Sequence, residues 1–306
     1  KSPTTLSSTV RVYDIGGDDP SYAVVACLHG DEPCGLRAVE YVREHRRPLA
    51  EPLRLVVANE RAVEAGVRAV ETDLNRVFPG DPDGDSYESR LAAEVLDAVA
   101  GRTVLDLHST VSAAEPFVVI GTATDRTLEL AAATGTDHVV EASYLGGGLL
   151  AHVDGVAVEC GYKGTDAAAG NAIRVLARFL AAVDLLDEPA DLVESGVPPA
   201  EPGHELPDRA TTDPPTVYRI VGETGRAGDE FRGENFGHVA AGETFAVRDG
   251  EPVIAAESFY PVLMSTDGYD DKLGFRAQRV GRLPDVDAGT LSDRVHVRER
   301  TTAGDE

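Results

Sequence analysis

Four short stretches of this 306-residue chain carry side chains of the kinds that bind metals. His29-Gly30-Asp31-Glu32 has a His-x-x-Glu spacing that can give two ligands to zinc, because open catalytic sites often combine two imidazoles with one carboxylate. The same spacing recurs at His138/Glu141 and His296/Glu299, so context must separate the three. His29 follows an apolar run directly, at the carboxyl end where open α/β sheets place their sites, and Gly30 permits a sharp turn there. His138 adjoins an apolar strand with no turn before Glu141, and His296 lies in a charged tail. Asp106-Leu107-His108 closes another apolar run, which puts His108 at a strand's carboxyl end too. Two histidines and a glutamate at one sheet edge converge on a divalent metal. The competing reading is that His29 and His108 are ordinary strand-end histidines, the second capping a loop with Ser109 and Thr110.

Two further groups could act on a substrate. Asp73-Leu74-Asn75-Arg76 precedes Pro79-Gly80 and reads as a loop. An arginine fork there can hold a carboxylate bidentately, with Asn75 adding a hydrogen bond. Arg68, just upstream, could reach a carbonyl oxygen that becomes an oxyanion. Solvated arginines balancing an acidic surface are the plain alternative. Glu159 ends the apolar run Gly155–Glu159, where a buried carboxylate is costly without a task. Burial would raise its pKa into a range useful for proton transfer; a strand-end glutamate facing water would not do this.

The elements that must position these residues are legible as alternating patterns. Apolar runs at 22–28, 53–58, 103–107, 117–120, 139–142 and 155–158 read as strands. Helical spacing is found at 33–46, 86–99, 125–134 and 166–186, with Glu88 and Glu94 on the outer side of the second helix. The alternation predicts an α/β fold, a mostly parallel or mixed sheet flanked by helices. Residues 188–216 hold seven of the chain's 18 prolines and read as a linker. Strands at 217–221, 244–248, 251–255 and 260–264, with an Asp249-Gly250 hairpin signal, then predict a small β domain. The expected division is therefore 1–188, 189–216 and 217–306, with disorder at 301–306.

Composition narrows the partners. The 53 acidic residues against 28 basic ones give a net charge of −25, which disfavours nucleic acid and anionic membranes. No apolar run reaches the roughly 18 residues of a spanning helix, and residues 1–10 lack a signal-peptide core. Three cysteines cannot build a disulfide framework, which points to the reducing cytoplasm; Cys27 and Cys160 read as small buried hydrophobes. Lysine occurs only at positions 1, 163 and 272, against 25 arginines. Acid excess with so little lysine is read as adaptation to strong salt, where at about 1 M a Debye length near 3 Å screens self-repulsion.

The motifs His29-Gly30-Asp31-Glu32, Asp73-Leu74-Asn75-Arg76, Asp106-Leu107-His108 and Val158-Glu159-Cys160-Gly161, in this order, resemble the aspartoacylase/succinylglutamate desuccinylase family, which is related to the zinc carboxypeptidases. Asn59-x-Arg61-Ala62-Val63 and Tyr260-Pro261-Val262 with Tyr269 extend the likeness over about residues 20–276. The resemblance implies one zinc held by His29, Glu32 and His108, with Glu159 as proton carrier and Arg68 polarising the scissile carbonyl. It implies Asn75 and Arg76 on the substrate α-carboxylate and Tyr269 closing over it from the β domain. The activity implied is hydrolysis of a small N-acyl amino acid. A peptide-cutting zinc carboxypeptidase and a catalytically silent metal-binding relative are the alternatives, and self-association into a homo-oligomer is left open. The sequence departs from aspartoacylase in having no arginine between 127 and 158, where that enzyme carries one for the substrate's side-chain carboxylate. N-acetylaspartate is therefore not the expected substrate.

The charge pattern generates a prediction. Cooperative unfolding should require molar KCl, with the thermal midpoint rising as salt is added; a full cooperative transition in dilute buffer would contradict the salt-adapted reading.

Overall fold

The computed structural model describes residues 10–45, 47–193, 197 and 213–291. Most of the proline-rich stretch, both chain ends and the His296/Glu299 pair lie outside the described residues. In chain order the elements are β1 (Arg11–Ile15), β2 (Tyr22–Ala26), α1 (Cys34–His45), β3 (Leu53–Val57), α2 (Glu60–Ala65), α3 (Tyr87–Val99), β4 (Thr103–Thr110), β5 (Phe117–Ile120) and α4 (Asp125–Thr134). They continue with β6 (His138–Glu141), β7 (Asp154–Tyr162), α5 (Asp166–Ala182), β8 (Thr216–Thr224), β9 (Glu230–Phe231), β10 (Thr244–Arg248), β11 (Glu251–Ile254), β12 (Tyr260–Val262) and β13 (Gly274–Arg282).

Ten of these strands form one mixed sheet, in the order β1-β3-β2-β4-β7-β5-β6-β8-β13-β12. The central strands β3, β2, β4 and β7 run parallel. Strand β2 is apolar throughout because both of its faces are covered. Val24 and Ala26 pack with α1 and α5, while Ala23 and Val25 pack with α3 on the other side. This is the burial that a parallel strand between two helical layers requires. The helices begin where side chains can satisfy their free N–H groups. Ser86 accepts from the Ser89 amide at the start of α3, Thr124 forms a reciprocal cap on α4, and Thr165 accepts from Ala168 at the start of α5.

The C-terminal β region is present, but its strands are divided between two sheets. Strand β8 pairs parallel with β6, and β13 and β12 follow in antiparallel register, so all three continue the main sheet. Strands β9, β10 and β11 form a separate three-stranded sheet around the Asp249-Gly250 hairpin. Strand β5 runs antiparallel to β7, which makes the sheet mixed. Helix α5 stops at Ala182, four residues short of the expected end, and the remaining apolar residues Val183, Leu185 and Leu186 are buried in the turn that follows. Among the described residues no helix is long and apolar enough to cross a membrane.

Candidate active site

The parallel register brings three strand ends together. Ala26 lies opposite Leu107 across β2 and β4, and His108 lies opposite Glu159 across β4 and β7. Beyond β2 the chain turns before α1 and presents His29 and Glu32 from that turn. The turn is tight: a Cβ on Gly30 would sit 2.1 Å from the Ala62 carbonyl carbon, and the Gly30 amide donates to the Arg68 carbonyl at 3.2 Å. The second His-x-x-Glu lies along β6, where residues three apart face opposite sides of the sheet. There His138 stacks on Phe236 with ring centroids 4.1 Å apart, while Glu141 pairs with Arg219 at 3.0 Å.

His29, Glu32 and His108 are all buried, and their ligating atoms lie within 4.8 Å of one another. Nδ1 of His29 approaches one Glu32 oxygen at 2.9 Å, and Nδ1 of His108 approaches the other at 2.9 Å. The Nε2 nitrogens are held from outside, His29 by Asp73 at 3.1 Å and His108 by Asp106 at 2.8 Å. Carboxylates on Nε2–H leave both Nδ1 lone pairs pointing inward, the arrangement that orients metal-binding imidazoles. The Glu32 approach to the buried His29 Nδ1 is not aligned as a hydrogen bond, which leaves that nitrogen without a hydrogen-bond partner among the described residues. An orphaned imidazole nitrogen beside a carboxylate and a second imidazole fits a divalent metal with N and O ligands.

The electrostatics run the same way. Burial pulls the His29 imidazole down, but Glu32 and Asp73 outweigh it and the net shift is upward. Burial likewise opposes the His108 imidazolium, and Asp106 with Glu32 carries its pKa well above the usual histidine range. Burial pushes Glu32 up, yet the two histidines hold it well below the ordinary carboxylate value. These carboxylates together favour positive charge at the centre, whether carried by imidazolium or by a metal ion.

Glu159 sits half-buried beside this cluster, its Oε2 shielded from solvent and without a hydrogen-bond partner among the described residues, and desolvation, reinforced by Glu32, raises its pKa to about 7. Arg68 bridges Glu32 at 3.1 Å and Asp73 at 3.0 Å. Asp73 also accepts from the Asn75 amide at 2.9 Å, starting the short turn Leu74–Arg76. Asn75 uses its side-chain oxygen to hold the Leu149 amide at 2.9 Å, which leaves its Nδ2 for a ligand. Arg76 donates to the Asn75 carbonyl at 2.8 Å and makes no ion pair among the described residues. Tyr269 reaches the site from the β12–β13 connection, edge-on to Phe275 with centroids 5.5 Å apart. Burial, with Glu159 adding, keeps its phenol protonated far above the usual range. All eight expected site residues line one cavity of about 1030 Å³.

Sequence reasoning placed Glu88 outside, and the structure buries it completely. Its carboxylate accepts from Asn59 Nδ2 at 3.2 Å, the Val70 amide at 2.7 Å, and the Glu71 and Thr72 amides at 3.1 Å each. It thereby anchors the loop that carries Arg68 and Asp73. No periodicity signals this, because the partners are backbone groups of a distant loop. Asp73 and Asp106 were visible within their motifs, but their hold on the two imidazoles was not. The cysteines are free and buried, and burial pushes the Cys27 thiol up to about 12, as expected for packing rather than nucleophilic residues.

The family model of the succinylglutamate desuccinylase/aspartoacylase catalytic domain matches residues 18–177. The chain belongs to that family. Among curated relatives, aspartoacylase of Xenopus tropicalis is 32% identical over 106 residues, 29% of this chain and 34% of that protein. The N-alpha-acetyl-L-2,4-diaminobutyric acid deacetylase of Halomonas elongata is 33% identical over 105 residues, 30% of this chain and 29% of its own length. The match thus spans about a third of these relatives. The fold extends further. The product-bound ectoine utilization protein EutE (DoeB) from Ruegeria pomeroyi superposes with a TM-score of 0.63 at 19% identity, covering 88% of this chain and 87% of that one. Murine aminoacylase 3 gives 0.61 at 18% identity, covering 86% and 97%.

The Glu159 shift has a sign that can be tested. The folded metal-free protein binds this proton more tightly than the unfolded chain, whose glutamate titrates near 4.5. The metal-free protein should therefore lose stability relative to Glu159→Gln as pH rises from 4.5 through about 7, by up to about 3 kcal/mol. Urea midpoints of both proteins at high salt with chelator, across pH 4.5–8.5, should diverge in that direction; parallel curves would remove the raised pKa.

Proposed function

We propose that this chain is a zinc-dependent amidohydrolase that releases the acyl group from a small N-acyl amino acid. The observation that carries the reading is the gathering in one cavity of a His-Glu-His cluster, a half-buried carboxyl and an arginine with no ion pair among the described residues. Its volume, about 1030 Å³, suits a small molecule. The named relatives, an aspartoacylase and an N-acetyl-diaminobutyrate deacetylase, act on bonds of this class.

In this reading His29, Glu32 and His108 hold the zinc. Zinc bound there supplies a Lewis acid and lowers the pKa of a water to about 7. Arg76 and the Nδ2 of Asn75 hold the substrate's α-carboxylate, fixing the amide in the cavity. Glu159 takes a proton from the attacking water at its unpaired oxygen and returns one to the departing amine. A carboxyl within reach of both the water and the amine can do both. Arg68 donates to the carbonyl oxygen as negative charge develops there, and its hold on Glu32 and Asp73 fixes its direction. Tyr269, kept as a neutral phenol, donates a hydrogen bond from the side facing solvent. We place the protein in the cytoplasm on the strength of its free, buried thiols, and in a salt-rich one on its acidic surface.

Free-amine release from N-acyl amino acids, at high salt with zinc and with or without chelator, tests the activity; chelator-insensitive release, or cleavage of peptides alone, would refute it. Glu159→Gln should keep full zinc content by metal analysis and lose at least a hundredfold in kcat; loss of zinc would make Glu159 a ligand instead. Arg76→Lys should raise KM about tenfold with kcat nearly unchanged, because the ammonium cannot form the two-point contact. An unchanged KM would remove Arg76 from the clamp.

A further inference from the structure

The cavity's cations are already assigned, save one. Four basic side chains line it: Arg68, Arg76, Lys163 and Lys272. Arg68 is shared between Glu32 and Asp73 at 3.1 and 3.0 Å. Lys163 pairs with Asp31 at 2.6 Å. Lys272 pairs with Glu223 at 2.6 Å and Asp271 at 3.2 Å. Arg76 alone makes no ion pair among the described residues, its one contact being with a backbone carbonyl.

Away from the His-Glu-His centre and the metal it would hold, the remaining charged side chains lining the cavity are acidic. Glu71, Asp267 and Asp270 join the carboxylates of the site along its lining, and none of these three pairs with a cation among the described residues. A ligand carboxylate that enters without a cationic partner gives up its hydration and meets this field. One such group can be met by Arg76. A second would have to break an existing ion pair to find a partner.

We propose that the site accepts substrates with a single carboxylate: N-acyl amino acids whose acyl group and side chain are both uncharged or cationic. The α-carboxylate takes Arg76, and a second carboxylate, on either the side chain or the acyl group, is rejected. This rests on the deacylase reading for the orientation of the substrate, but the charge limit itself concerns binding. It separates this chain from substrates of the succinylglutamate and acetylaspartate type, which carry two or three carboxylates.

Isosteric pairs isolate the charge. Binding of N-acetylasparagine and N-acetylaspartate to the zinc-loaded protein, measured by calorimetry at one fixed salt concentration, compares ligands of equal shape. N-acetylglutamine with N-acetylglutamate repeats the comparison, and N-succinamyl-alanine with N-succinyl-alanine moves it to the acyl side. Each neutral member should bind at least tenfold more tightly than its acidic partner. Arg76→Ala should weaken the neutral members by at least tenfold and so shrink the difference. Equal affinity within the pairs, tighter binding of the acidic members, or no binding of the neutral ones would overturn the proposal. Selective binding without amine release would leave the single-carboxylate limit standing and overturn the deacylase reading instead.

Discussion

The in-register, parallel alignment of β2, β4 and β7 is the constraint on which the site rests. Parallel neighbours end at the same edge, so one apolar strand delivers His29, the next His108 and the third Glu159 to adjacent positions. Side chains alternate across a sheet, and a slip of one residue in β4 would turn His108 toward the opposite helical layer. The deep, two-sided burial of these strands is what holds the register. Each apolar residue on β2 is committed to one of two cores, which leaves the strand no alternative pairing. The geometry of the polar cluster is thus set by residues that never touch it.

Within that frame, charge is balanced by sharing. Glu32 is contacted by both imidazoles, by Arg68 and by the Ser109 amide, and Asp73 joins His29, Arg68 and the turn that carries Asn75 and Arg76. A buried carboxylate is tolerable only when its oxygens are satisfied in this way. Asp73 therefore belongs to two sites at once. It sets the tautomer of an imidazole at the centre and the start of the loop that meets the substrate. Glu88, behind the loop, fixes the backbone on which both depend.

Much of this was legible in the sequence, for definite reasons. The buried parallel strands announced themselves as unbroken apolar runs, and His29 and His108 were notable because each follows such a run. The turn after His29 distinguished its glutamate from that of His138, since a turn can bring residues three apart to one point and a strand cannot. What could not be read was pairing at a distance. β13, with its arginines and glutamine, does not look like an interior strand, yet it lies between β8 and β12. Glu88 looked like a solvated helix residue because its four partners lie on other segments, three of them as peptide N–H groups. β1 escaped notice since its mostly exposed residues carry little apolar signal.

The continuity of the main sheet bears on how the cavity can be entered. The segment with Tyr269 hangs between β12 and β13, which are hydrogen-bonded through β8 and β6 to the same sheet that supplies the histidines. Floor and cover are parts of one framework, so a hinge between them would have to tear a ladder of backbone hydrogen bonds. The ten residues from Leu263 to Lys272 are themselves tied down, Met264 by Asn235, Thr266 by the Phe231 amide of β9 and Ser265 by the Leu273 carbonyl. The enclosure is a bowl whose rim is laced to its wall.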